Sequence, residues 1–294
     1  MTAYNDLLPH HYAARLLMLD PNKLESIYNG LRSRNPDAIR KACGDITAHI
    51  GSMDPKEERV IADALTGVLY IDIGDRPEFT DAVNCAVDTL VGMGPDTIHI
   101  LVEGLTDTDL QVNYMIARIL ARMGAPAVAV LKEMFRKEKD PYRRSLALFA
   151  LSKIDDPVLI EIFPDVVSAL DHENGELRDM AAQAIGRMID CIGGACLEPD
   201  MINLSFDKLM LRLSDTHPGA RAKVVRSIGR LARANYLDDV QKSRALDAVR
   251  GILGIDGMHD WDRAFVVRQE AEETYYYLTG KNAQRRAACE YCEE

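Results

Sequence analysis

The chain has 294 residues, a length that allows two ordinary domains or one extended repeat structure. Apolar residues make up 47% and charged residues 28%, which supplies a sizeable core and excludes a disordered chain. With 35 Lys and Arg against 46 Asp and Glu, the net charge of −11 argues against a nucleic-acid coat or an anionic membrane surface, so any anion-binding face must be local.

The first residues, MTAYNDLLPHHYAARLLMLD, lack a basic stretch followed by a long apolar one, and no apolar run reaches the roughly 18 residues of a membrane span. Six cysteines are too few for a disulfide scaffold, and Cys43 and Cys85 fall in apolar-periodic segments that suit small buried thiols. A cytoplasmic protein in a reducing compartment is expected. Prolines then organise the chain. Asp20-Pro21, Asn35-Pro36, Asp54-Pro55, Asp140-Pro141 and Asp156-Pro157 each place a capping side chain before a proline whose fixed φ suits the first helical turn. Pro77, Pro95, Pro126, Pro199 and Pro218 precede segments with apolar residues at three- and four-residue spacing, which leaves Pro9 and Pro164 as a break or kink. No stretch sustains two-residue alternation, so the reading is an all-α chain of about 15 helices.

One helix recurs along the chain. LRDMAAQAIGRM (177 to 188) aligns without a gap on ARAKVVRSIGRL (220 to 231), matching Arg178 with Arg221, Gly186 with Gly229 and Arg187 with Arg230. With the aligned arginine as position zero, the register fits helices at Arg40, Val83, Asn113, Arg144, Arg178, Arg221 and Arg268. Ten residues on stand Ile50, Met93, Met123, Ile154, Met188, Leu231 and Leu278; seven on stand Thr47, Leu90, Leu120, Leu151, Ile185, Ile228 and Tyr275. Offsets three, four, seven and ten form one apolar stripe. Polar Thr47 and Glu272 fall in the stripes of the terminal copies, as expected where a repeat has one neighbour. The spacing leaves room for one further helix between copies, so the unit is a helical hairpin.

The sequence ELRDMAAQAIGRM resembles HEAT-like repeats, particularly those of phycobilisome-lyase-type proteins, over roughly residues 36 to 280. The resemblance implies a right-handed α-solenoid of about seven helical hairpins, preceded by N-terminal capping helices in residues 1–35 and followed by a C-terminal tail, 281–294. It specifies architecture rather than activity, because such folds host scaffolds, chromophore lyases, DNA glycosylases and hydroxylases.

Offsets five, nine and twelve point away from the stripe. In the four central copies they include Arg118, Arg122, Phe149, Lys153, Gln183, Arg187, Asp190, Arg226, Arg230 and Arg233, seven basic residues and one acid among those named. The outer copies carry Asp45, Asp88 and Glu273 there. In HEAT-like proteins the second helix of each pair lines the concave surface, so the resemblance implies a basic groove suited to an acidic partner protein. The arginines at position zero lie at the edge of the stripe and read as a structural ladder.

Enzymatic chemistry has few candidates. Cys191, Cys196, Cys289 and Cys292 could form a four-thiolate metal site only if the tail folded back about two repeats, and free thiols are the simpler reading. His172-Glu173 is the single His-Glu pair, which excludes a di-iron hydroxylase of this architecture, and neither a phosphate loop nor a nucleophile elbow occurs. The alternative drawn from the resemblance is tetrapyrrole handling, with propionates on Arg122, Arg187 and Arg230 and rings against Tyr114 and Phe149. The preferred reading is a non-catalytic scaffold without a cofactor. Two connections, 190 to 202 and 254 to 263, look like insertions able to carry partner specificity. Trp261, beside Met258 and His259, is either an interface anchor or a cap on the last core.

Overall fold

A computed structural model describes residues 20–105, 109–192, 197–257 and 261–281. Among these residues there are fourteen α-helices, several short 3-10 turns and no strand. The fold is an all-α helical repeat, and the chain divides into two compact units, residues 1–130 and 131–294.

The first unit stacks helical hairpins. Helix α1 (Pro21–Leu31) packs on α2 (Pro36–Thr47), α3 (Pro55–Val68) on α4 (Thr80–Met93), and α5 (Ile98–Gly104) on α6 (Leu110–Met123). Each start has a local cause. The side chains of Asp20, Asn35 and Asp109 accept N–H groups of the first turns, and Asp54 forms a capping box with Glu57. The core runs through Ile39, Ile46, Ile61, Leu65, Leu90, Ile116 and Leu120, all buried. Cys43 lies inside it, and burial together with the neighbouring Cys85 thiol pushes the Cys43 thiol up to about 12.

The boundary between the units falls within α7 (Ala125–Lys137). In the second unit α8 (Pro141–Leu151), α10 (Gly175–Ile192), α12 (Pro218–Arg233) and α14 (Phe265–Thr279) pack in succession; α9 (Phe163–Ser168) pairs with α10, α11 (Pro199–Leu211) with α12, and α13 (Asp239–Leu253) with α14. All seven copies of the repeat therefore fall on helices, the even-numbered ones. Leu90, Leu120, Leu151, Ile185 and Ile228 are buried at offset seven, whereas Thr47 is exposed and Tyr275 is only half-buried.

Two expectations need correction. Pro164 sits in the first turn of α9, where a missing N–H costs nothing, rather than at a kink. The connection expected over 190 to 202 is shorter, because α10 continues to Ile192 and α11 begins at Pro199.

The aligned glycines set how closely the helices approach. Ser227 of α12 donates to the Ala182 carbonyl of α10 at 2.7 Å, and Thr274 of α14 donates to the Val225 carbonyl of α12 at 3.1 Å. Both hydroxyls lie over a glycine at offset eight, Gly186 and Gly229, and a Cβ on Gly229 would stand 2.5 Å from Thr274 Oγ1. In α14 the same offset holds Tyr276, 51% exposed, in place of the glycine that lets α14 settle closely on α12. Gly229→Ala should cost about 1–3 kcal/mol by overpacking. Urea denaturation checks this, and an unchanged midpoint would show that the helices separate freely.

Candidate partner-binding faces

Two of the arginines at position zero, Arg178 and Arg221, tie neighbouring repeats of the second unit. Arg178 donates from Nε and Nη2 to Asp215 at 2.6 and 3.0 Å, and from Nη1 to the carbonyls of His172 and Glu173 at 3.0 and 2.8 Å. Arg221 repeats the arrangement one step on, reaching Asp262 at 2.8 and 2.9 Å and the Asp215 carbonyl at 2.8 Å. Hydrogen bonds from Arg178 hold the Asp215 carboxyl below the usual carboxylate range. Burial alone would raise Asp262, but Arg221 and the Ala264 N–H outweigh it and hold it low. Arg144 stands outside this series, lying over the Phe135 ring at 4.7 Å, while Asp171 pairs with Lys208 and Arg212. The signal for the ladder is in the sequence, as Asp215-x5-Arg221 and Asp262-x5-Arg268.

The face at offsets five, nine and twelve is less basic than a count along single helices suggests, because its cations pair with acids of adjoining helices, Asp88 and Asp190 on the same face and Glu270 at offset two. In the first unit Arg122 pairs with Asp88 of α4 at 2.6 Å, and Arg118 is exposed with no carboxylate partner among the described residues. In the second unit Arg226 pairs with Glu270, while Arg230 and Arg233 share Asp190 at 3.4 and 2.7 Å. The Arg230 side chain is only 15% exposed, so it reinforces the field more than it offers a contact. Lys223 pairs with Asp179. Arg187 is exposed and meets no carboxylate among the described residues. Its charge is felt nearby: burial, then Arg187 and Lys223, hold the Lys153 ammonium below the usual lysine range. Burial likewise pushes Arg230 down, with Arg187, Arg226 and Arg233 acting in the same direction against Asp190. The density of positive charge in the second unit thus centres on Arg187, flanked by Lys153, whose ammonium lies 5.0 Å from the Phe149 ring.

Trp261 is 58% exposed, outside the apolar cluster of Val225, Val249, Leu253, Val267 and Ala271 that closes the last repeat. It abuts Gly254, where a Cβ would stand 3.2 Å from the Trp261 Cβ, and Arg268 lies over its ring at 4.6 Å. Met258 and His259 lie outside the described residues, as do Cys196, Cys289 and Cys292 of the thiolate set. Cys191 is half-buried, with its thiol pushed up to about 12 by burial and by Asp155. Among the described residues no group of three or more His, Cys, Asp or Glu could hold a metal ion, and no helix is long and apolar enough to cross a membrane. Tyr114 is exposed in the first unit and Phe149 is half-buried in the second.

Stacked hairpins, tied in the second unit by an arginine ladder, define an all-α helical-repeat protein. Residues 84–152 match the family of HEAT repeats. Among solved structures the chain is similar to Kap121p, with a TM-score of 0.50 and 12% identity, covering 88% of this chain and 38% of that one. Similarity also extends to computationally designed armadillo repeat proteins for modular peptide recognition (TM-score 0.47, 17% identity, 79% of this chain and 98% of that one). An engineered protein gives a TM-score of 0.46 at 16% identity, covering 87% and 78% of the two chains. At these identities the likeness is one of fold. No curated protein matches the sequence.

Proposed function

We propose that this protein is a non-catalytic scaffold or adaptor that binds an acidic partner protein through the basic face of its second unit. The observation that carries the reading is Arg187, an exposed guanidinium without a carboxylate partner among the described residues, set among Lys153, Lys223 and Arg230. Like charges held together in this way lower the cost of bringing in an anion, and an arginine whose donors are free offers a planar fork to a carboxylate. Arg226, Arg230 and Arg233 are largely neutralised by Glu270 and Asp190 and act as its frame.

Arg187→Glu reverses an exposed charge, so stability should shift by no more than about 0.5 kcal/mol. Binding of an acidic probe such as poly-glutamate should weaken by about tenfold or more, with slower association at low salt. Calorimetric titration checks this. Undiminished binding by a folded Arg187→Glu chain would make this face ordinary solvated surface.

A further inference from the structure

Three successive helices, α10, α12 and α14, carry the ladder arginine, and only two of the three grip a carboxylate. Arg178 and Arg221 each split their donors, giving Nη1 to carbonyls of their own preceding turn and Nε with Nη2 to the aspartate of the following turn. Arg268 keeps the first half, donating from Nη1 to the Asp262 carbonyl at 2.5 Å. Its other donors meet no carboxylate among the described residues. The guanidinium instead rests over the Trp261 ring at 4.6 Å and 5.9 Å from that of Phe265, and these rings are 58% and 67% exposed.

We propose that Arg268 is a docking slot for an aspartate at the start of a helix in a partner protein, seated as Asp215 sits on Arg178 and Asp262 on Arg221. The filled rungs define the occupant. In each, the aspartate stands three residues before a helix and accepts, through Oδ1, the N–H two residues on, from His217 at 2.9 Å and Ala264 at 2.8 Å. The partner therefore offers a tight aspartate turn rather than a flexible acidic tail, with apolar side chains to cover Trp261 and Phe265. Paired donors on Arg268 fix the carboxylate in direction as well as charge, and an arginine between exposed aromatic rings has the composition of an interface anchor. Tyr276 keeps the partner's helix from lying as close as α14 lies on α12, so contact concentrates at the turn. The slot is separate from the Arg187 face and stands or falls without it.

Trp261 is the only tryptophan in the chain, so its emission reports on this corner alone. The probe is a synthetic peptide copying residues 211–222, LRLSDTHPGARA, titrated into the full chain alongside a version with Asn at the position of Asp215. A saturable emission change is expected with the aspartate peptide, weaker by about tenfold or more with the asparagine peptide and with an Arg268→Lys chain, which keeps the charge but not the paired donors. Arg187→Glu should leave the response intact, so failure here is distinguishable from failure of the basic-face reading. Equal responses to the two peptides, or no response at all, would overturn the slot, whatever the stability of the Arg268→Lys chain.

Discussion

Replacing Ile185 with alanine should destabilise the protein by about 2–5 kcal/mol, the cost of deleting buried methylene groups and leaving a cavity behind. Ile185 is fully buried at offset seven of α10, between α8 and α12, so each neighbouring repeat loses part of its only shared apolar surface. Leu120, equally buried in α6 of the first unit, should behave alike. Both variants should keep helical circular dichroism and unfold at lower urea concentration. Losses below about 1 kcal/mol at both positions would mean that the stripe does not carry the repeat's stability.

Asp215→Asn should cost a comparable amount, about 3–5 kcal/mol, through a different cause. The Asp215 side chain is 2% exposed and its hydrogen bonds neutralise Arg178, itself only 14% exposed. Asparagine keeps the shape and can still accept the His217 N–H, but it leaves a largely buried guanidinium uncompensated. The pH dependence follows from the direction of the shift. Because Arg178 holds the folded carboxyl below its unfolded value, the stabilisation is complete above an ordinary aspartate pKa of about 4 and is lost as pH falls through the folded pKa. The parent chain should therefore lose stability on acidification more steeply than Asp215→Asn. A double-mutant cycle with Arg178→Gln tests the pairing, and additive effects would remove it.

Local signals were legible along the chain and distant ones were not. Asp20, Asn35, Asp54 and Asp140 cap helices as their proximity to proline requires, because a cap is settled within three or four residues. Asp156 also caps, but the element it starts is the 3-10 turn Pro157–Glu161 that precedes α9. The stripe was readable for the same reason: Leu120, Ile185 and Ile228 are buried by periodicity alone. Electrostatics resisted such reading. Counting charges on one face of one helix makes Arg122, Arg226, Arg230 and Arg233 look free, whereas their carboxylates lie 34 to 44 residues away on adjoining helices, and the repeat template carries no information on which side chains meet across helices. Arg187 differs from Arg230 in exposure and in having no carboxylate partner among the described residues, and no pattern within α10 records either. The six-residue interval from Asp215 to Arg221 and from Asp262 to Arg268 marks the aspartates that the ladder arginines grip, and it emerges only when the turn before each helix is aligned with the helix itself.

The hydroxyl contacts over Gly186 and Gly229 bear on how the molecule opens. Repeat arrays couple chiefly through nearest neighbours, and a weak boundary lets an end repeat fray alone. Here each boundary from α10 to α14 carries a hydroxyl bonded to a helical carbonyl as well as an ion pair, Lys223 with Asp179 and Arg226 with Glu270. Sliding one helix past the next by a single residue would strand all of these groups at once. The repeats of α10, α12 and α14 should therefore exchange their amide protons as one cooperative block, with α14 protected to the same degree as the two helices it follows.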